Sequence, residues 1–406
     1  MLTVTQSLDQ IVREVVAFAP EQIALNDALG LVTAEDVLSL EDSPPFDKSL
    51  MDGYAVVASD IAAGHRELDV VDEVTAGRMP SRDIASGQTT RIMTGAPIPK
   101  GANAVVPVEL TELVDGNPDR VRILLDSIEP EKHVIRSGTN KRAGEEIVPA
   151  GRMLRAQELA ALAELGSARV SVRRKPSVAV LATGDELVTT DQTPGPGQIR
   201  NSNETMLCGQ VCNAGAVSIP LGIARDNSED LRRHIEDGLN ADILLLSGGV
   251  SAGKLDLVPS ELERAGVEQI FHKVRVKPGK PVWFGVLRRG SNSCLVFGLP
   301  GNPVSSMVCF ELFVRTAIRR LMGQFPAIPQ LLTARLTHSH SHKDDRETYF
   351  PASVEWTADG PTVQLMKWHG SSDLQSTVDA DAMVVFPPEP KEYSLNDRVE
   401  VVLWSS

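Results

Sequence analysis

Short apolar runs alternate with helical patterns between residues 176 and 325. SVAVLATG, AVSIPLG and DILLLSGG are short apolar runs punctuated by glycine, the pattern of strands. Between and after them, NETMLCGQVCNAG, SEDLRRHIEDGL, DLVPSELERAG and the long PVSSMVCFELFVRTAIRRLMG space their apolar residues as helices do. This alternation predicts a parallel α/β sheet. Sites in such sheets lie at the carboxyl ends of the strands.

The flanking regions read differently. Residues 7–18, SLDQIVREVVAF, predict a helix with Ser7 as N-cap. The break Ser43-Pro44-Pro45-Phe46 ends that opening segment. From 46 to 139, β-like runs such as YAVVA, TTRIMTG, NAVVPVEL and VRILLD are cut by Gly and Pro, which predicts a β-rich lobe. Helical character returns in LRAQELAALAELG, with Gly166 placed as a C-cap. The opening segment and this stretch are expected to form one lobe with the β-rich lobe inserted between them. The last 80 or so residues lose their helices and end in DRVEVVLW, a small β domain. The chain contains no internal repeat and no low-complexity segment.

Composition narrows the function classes. The 406 residues carry 40 Lys+Arg against 54 Asp+Glu, a formal charge of -14, so binding a polyanion through a broad basic surface is not expected. Aromatics make up only 4%, too few for a base-stacking platform. A compact site for a small anion needs only local positive groups and stays open. The N-terminus has neither a charged leader nor an apolar core, and no apolar run approaches the length of a membrane span. The four cysteines, Cys208, Cys212, Cys294 and Cys309, make no disulfide framework. The expectation is a soluble protein of a reducing compartment, the cytoplasm.

Four constellations carry chemistry. Ser247-Gly248-Gly249-Val250-Ser251-Ala252-Gly253-Lys254 follows a strand and precedes a helix expected near Leu255. Such a loop presents backbone N–H groups to an oxyanion. It imitates a Walker A loop, but Leu255 stands where a magnesium-binding Ser or Thr is required; a tight turn without ligand is the alternative. Asp256 just beyond is a candidate metal ligand. Lys277-Pro278-Gly279-Lys280-Pro281 fits a type II turn with a lysine at each end, suited to a small anion or to a solvated hairpin tip. Pro300-Gly301-Asn302-Pro303-Val304-Ser305 enters a helix, with Asn302 as N-cap, Pro303 at its first position and Ser305 at its third. Thr183-Gly184-Asp185-Glu186 and Asp226 in GIARDN place acids at strand ends. Carboxylates tolerate a phosphate only when a hard cation such as Mg2+ bridges them. His338, His340 and His342 alternate on one face of a strand, fitting a polar, exposed strand end better than a metal site.

LATGDEL, SGGVSAGKLD, KVRVKPGKP and GLPGNPVSS, in that order, together with FDKSLMDGYAV and MTGAPIPKGANAVV, resemble the MoeA family of molybdopterin molybdenumtransferases, to which the E domains of gephyrin and its plant counterpart also belong. The resemblance runs from about residue 7 to the C-terminus. It implies multi-domain α/β and β architecture: an elongated discontinuous lobe (1–42 plus 140–172), a β-rich inserted lobe (43–139), a MogA-like α/β catalytic domain (173–325) and a C-terminal β domain (326–406). The implied reaction takes adenylylated molybdopterin and molybdate to molybdenum cofactor and AMP, with Mg2+ assisting. A homodimer is implied too, in which Asp52 and Thr94 reach the site from the partner's β-rich lobe.

The resemblance makes Glu186, Asp226 and Asp256 acidic site residues, with Glu186 and Asp256 as metal ligands and Asp185 beside them. Lys277 and Lys280 would hold the oxyanion or pyrophosphate. Ser247, Gly248, Gly249, Ser251, Gly253, Pro300, Asn302, Pro303 and Ser305 would shape the substrate pocket. A molybdopterin adenylyltransferase and molybdoenzyme acceptors are possible partners; nucleic acid and membrane are not. The chain departs from the family pattern at Lys48, Leu50 and Arg136, and three further departures, Asn103, Asn140 and Asn201, stand where carboxylates are usual. They raise the alternative of a weakened copy that carries or scaffolds molybdopterin. Adenylyl transfer to molybdopterin, the MogA-type step, is a further alternative that the multi-lobed chain disfavours.

Overall fold

The strand Ser177–Thr183 is buried at six of its seven positions, as its unbroken apolar sequence requires. The computed structural model describes residues 1–249, 257–290 and 292–404. Four parallel strands, in the order Val217–Ala224, Ser177–Thr183, Ile243–Ser247 and Asn292–Leu299, form the heart of the central domain. Trp283–Arg289 adds antiparallel to the last of these, and Glu268–His272 pairs antiparallel with it at the edge. The parallel expectation therefore holds for the site-bearing strands, and a hairpin-like extension completes the sheet.

Helices Ser202–Asn213, Ser228–Gly238, Val258–Arg264 and Pro303–Cys309 accompany the sheet. The last continues through a π-helical turn, Phe310–Val314, into Arg315–Leu321. Most of this helical run is buried, which explains its apolar residues on all sides. Within it Glu311 and Arg315 pair through bonds of 2.6 and 2.9 Å, and Gln210 adds a third at 2.8 Å.

The discontinuous lobe is drawn together by strand pairing. Arg169–Arg173 lies between Glu21–Ala24 and Val32–Thr33, and Glu146–Val148 pairs with Val37–Leu38. Leu25, Ala28, Val148, Leu154, Leu162, Val170 and Val172 share one core there. Helix Ala156–Glu164 packs on it, and Gly166 at φ 84° follows as the C-cap reading asks. The opening helix departs from expectation twice. It spans Val4–Glu14, and its cap is Thr3, whose hydroxyl accepts from Gln6 N at 3.2 Å; Ser7 is inside the helix, donating to Thr3 O. Its apolar face, Val4 and Ile11, joins the core of the central domain rather than that of the elongated lobe.

The β-rich lobe is a six-stranded sheet in the order Ala104–Pro107, Gly53–Val56, Gln88–Ile92, Glu67–Val74, Asn117–Ile123, Thr111–Val114. The C-terminal domain closes on itself: Glu347–Thr357, Gly360–Leu365, Leu331–Leu336, Arg398–Leu403 and Ala382–Phe386 pair in sequence, and the last returns to the first. Closure leaves no edge within the ring. The short strand Val276–Lys277 pairs in parallel with Glu347–Thr348, so the lysine segment of the central domain is stitched to this barrel. Among the described residues no helix is long and apolar enough to cross a membrane.

Candidate functional site

Parallel register brings three loops to one sheet edge. Ala182 stands beside Ser247, and Ser247 beside Leu299, so the chain leaves all three strands at the same level. A cleft of about 1000 Å3 opens there, walled by Thr183, Glu186, Asn201, Asn203, Asp226, Ser247, Gly248, Gly249 and Pro300 to Pro303, with Ser372 to Gln375 of the barrel domain across from them. Gly248 takes φ 101° and donates its N–H to Leu299 O at 3.1 Å; a Cβ on it would lie 2.7 Å from Thr183 O. Only glycine allows that approach.

The acidic loop is braced by backbone contacts. Asp185 Oδ1 accepts from Asp226 N at 3.2 Å, and the Arg225 guanidinium donates to the carbonyls of Asp185 and Leu187 at 3.2 and 3.1 Å. Glu186 and Asp226 line the cleft, whereas the carboxylate of Asp185 is spent on the loop itself. A Cβ on Gly184 would lie 2.5 Å from Glu186 Oε2, so the glycine makes room for this carboxylate to fold back. Ser251, Gly253 and Asp256 lie outside the described residues, and the helix expected near Leu255 begins at Val258, with Pro259 in its first turn. Among the described residues no three acids, histidines or cysteines gather as a metal cluster.

The lysine segment borders a second cavity of about 600 Å3, which shares Pro281, Pro300 and Asn302 with the first. Lys277, Lys280, Ser305, Arg346, His369 and Ser371 are on its walls. Gly279 has the positive φ, 115°, asked of its place in the turn, although the bond before Pro278 is cis and no 277-to-280 backbone bond closes it. A Cβ there would lie 2.4 Å from Cys309 Sγ. The two lysines are not equivalent. Lys277 Nζ pairs with Asp344 at 2.7 Å; Lys280 is exposed and has no carboxylate partner among the described residues. Although burial opposes it, the hydrogen bonds of Lys277 and Arg346 hold the Asp344 carboxyl below the usual range.

Asn302 precedes the helix as expected but does not cap it with its side chain. Its amide donates to Ser371 Oγ at 2.8 Å, and Val304 N donates to Ser371 O at 3.0 Å, which docks the barrel domain on the helix start. Ser305 is buried at the third helical position, beside Ser306, whose hydroxyl is bonded to Pro300 O.

Asp52 and Thr94 are brought to each other and not to these cavities. Asp52 Oδ1 accepts from Thr94 N at 2.7 Å and from its hydroxyl at 2.8 Å, which holds the carboxyl below its ordinary value. Neither residue lines the cleft of its own chain.

The departures from family pattern are partly structural. Asn103 Oδ1 accepts from Ala58 N at 2.8 Å. Asn201, 4% exposed, accepts from Glu204 N and donates to Glu204 Oε2 at 3.0 Å. A carboxylate at position 201 would face that acid without a proton to share. His342 is buried rather than exposed, and both it and His340 stack on Phe386 with centroids 5.2 and 4.7 Å away; burial lowers the pKa of both. Arg346 and Ser371 are functional candidates that no motif announced, whereas Arg225 and Asn203 stand within or beside motifs already noted, one residue before Asp226 and two after Asn201, without being singled out. Asn203 donates to Ser247 Oγ at 2.7 Å and to Gly301 O at 2.8 Å, tying two of the loops together.

Comparison with known proteins covers the same ground. Family models match residues 2–166 (MoeA N-terminal region, domains I and II), 179–320 (probable molybdopterin binding domain) and 333–404 (MoeA C-terminal region, domain IV). A Bacillus subtilis protein named molybdopterin molybdenumtransferase is 32% identical, with 98% of this chain and 93% of that one covered. A Staphylococcus aureus N315 protein of the same name is 30% identical over 100% of this chain and 96% of its own. The solved structure of a molybdopterin biosynthesis MoeA protein from Pyrococcus horikoshii superposes with a TM-score of 0.81 at 31% identity, covering 100% of both chains. With every region of the fold matched in order, this chain belongs to the MoeA family.

Proposed function

We propose that this protein is a molybdopterin molybdenumtransferase, inserting molybdenum into molybdopterin at the joined cavities. The observation that carries the reading is the pairing of an acid- and glycine-lined cleft with a cation-lined cavity across shared Pro281, Pro300 and Asn302. The larger cleft suits a nucleotide-linked pterin, the smaller a tetrahedral oxyanion, molybdate. The backbone N–H of Gly249, next to the Gly248 N–H that Leu299 O already engages, would hold the pyrophosphate, while Lys280, Lys277 and Arg346 would hold molybdate and stabilise charge as it moves. Release of AMP from the adenylylated substrate completes the proposed reaction.

Glu186 and Asp226 offer oxygen donors only, the set that Mg2+ takes when it keeps most of its waters. The donor chemistry therefore fits Mg2+. When bound it would act as a Lewis acid on the pyrophosphate link, with Glu186 and, by family resemblance, Asp256 as ligands. The rest of the proposal extends to the assembly: a homodimer whose second copy brings Asp52 and Thr94 to the cleft, in the cytoplasm, where the free thiols of Cys208, Cys212, Cys294 and Cys309 stay reduced. An adenylyltransferase upstream and molybdoenzymes downstream are its proposed protein partners.

The carrier alternative rested on three amides. Asn103 and Asn201 are engaged in local hydrogen bonds, which favours turnover. AMP release from adenylylated molybdopterin, measured with Mg2+ and with or without molybdate, tests the reading. Release that depends on molybdate is expected; tight binding without release would make the protein a carrier.

A further inference from the structure

Three cations line the smaller cavity, and one half-buried acid stands behind two of them. Lys277, Lys280 and Arg346 line it, and Asp344 does not. Asp344 stands in the wall of an adjoining cavity of about 260 Å3, which shares Lys277 with the first. From there it takes hold of two of the three cations. Its Oδ2 is 2.7 Å from Lys277 Nζ, and its Oδ1 is 3.1 Å from Arg346 Nε. Arg346 N donates to the same Oδ1 at 3.1 Å, and an Arg346 guanidinium nitrogen reaches Val276 O at 3.4 Å. The Asp344 side chain is only 15% exposed, so these contacts are little screened by solvent.

Lys277, Lys280 and Arg346 bring three positive charges to the cavity wall; Asp344 offsets part of that charge from behind, while Asp345, 3.9 Å from Arg346 Nε, is 91% exposed and its charge is met by solvent. The two positively charged partners of Asp344 are also unlike in freedom. Arg346 is tied by its backbone and its guanidinium together, whereas Lys277 holds Asp344 with a single ammonium on a flexible stem. That ammonium can leave the acid for an entering oxyanion without disturbing Arg346.

We propose that Asp344 is a positioning and charge-setting residue for the oxyanion: it fixes Arg346, holds Lys277 until an anion enters, and competes with the bound anion so that binding stays reversible. The inference rests on the reading of this cavity as the molybdate pocket. Asp344 touches no substrate and is not a catalytic residue. A purely structural ion pair predicts that removing the acid weakens or spares anion binding. The charge-setting role predicts the opposite.

The test is calorimetric titration of the full-length protein with molybdate, and separately with sulfate as an unreactive tetrahedral dianion, at slightly alkaline pH and fixed ionic strength. Asp344→Asn is expected to bind both dianions about tenfold more tightly than wild type, with a steeper loss of affinity as salt is raised. The gain should disappear when Lys277→Gln is added, and Asp344→Glu should keep wild-type affinity. If Asp344→Asn folds poorly, Asp344→Ser serves in its place, since it removes the same charge. Unchanged or weaker binding in a folded neutral variant overturns the role of Asp344 alone. Failure of the wild-type protein to bind either dianion overturns the oxyanion reading, and this proposal with it.

Discussion

Thr183 ends the central strand with its side chain against the paired glycines, and the residue is 5% exposed. Its hydroxyl oxygen is buried without a hydrogen-bond partner among the described residues, yet the residue lines the cleft. An unmet buried hydroxyl costs about 1–3 kcal/mol, and a folded protein keeps such a group when something else uses it. We expect the substrate to do so. Thr183→Val retains the shape and removes the hydroxyl, so its Tm should equal or exceed that of wild type. Its Kd for adenylylated molybdopterin should rise about ten- to hundredfold, the worth of one hydrogen bond to a charged group. A lower Tm with unchanged Kd would show that the hydroxyl serves only the fold. Asn201 makes the complementary point. It looks like a lost carboxylate when read as text, but in the fold its amide is the donor that Glu204 requires.

At the next scale, periodicity located the elements and local chemistry misplaced some of their ends. The apolar runs from Ser177 and Ile243 are strands because nothing else can bury both faces of so short a segment. The cap at Thr3 was missed because Ser7 stands nearer the apolar run; Gln6, which completes the reciprocal pair with Thr3, was the available signal. Helix Ala156–Glu164 shows what such a cap contributes. Arg155 N donates to Glu158 Oε2 at 3.0 Å, and the guanidinium of Arg155 reaches Oε1 at 2.6 Å. These hydrogen bonds lower the Glu158 pKa to about 2 from 4.5. A lowered carboxyl stabilises the fold above its unfolded pKa, and that stability is lost as pH falls through the folded one. Glu158→Gln should therefore melt about 2–4 °C below wild type at pH 7. The gap should narrow as pH is lowered from 4.5 toward 2, followed by scanning calorimetry. A gap that stays constant across that range would assign the effect to shape and not to charge.

The whole molecule explains which parts of the site were legible. Residues on the loops of one sheet edge, from Thr183 to Ser305, carry glycine and proline signatures because the backbone must turn tightly there. Arg346 and Ser371 come from another domain and are brought in by the pairing of Val276–Lys277 with the barrel and by the Asn302 contact. Contacts between domains leave no period in the sequence. The chain also sets a small basic cavity within a molecule of net charge -14, so attraction for an oxyanion is local to that cavity and does not extend over the surface.

Asp52 and Thr94 belong to the same scale. They form a tight pair on an exposed face of the β-rich lobe and line neither cavity of their own chain, which fits the proposed homodimer in which they reach the cleft of a second copy. The proposed dimer can be tested by complementation. Asp52→Asn and Glu186→Gln should each abolish turnover alone. When the two variants are mixed and allowed to exchange subunits, about half of the dimers contain one of each. Every such dimer has one site with both residues intact and one with neither, so activity should return to about a quarter of wild type. Separate affinity tags on the two variants allow the mixed dimer to be isolated, and its AMP release per dimer should then be about half that of wild type. If Asp52 instead acted within its own chain, every site in the mixture would lack one residue or the other, and no recovery would be seen at any mixing ratio.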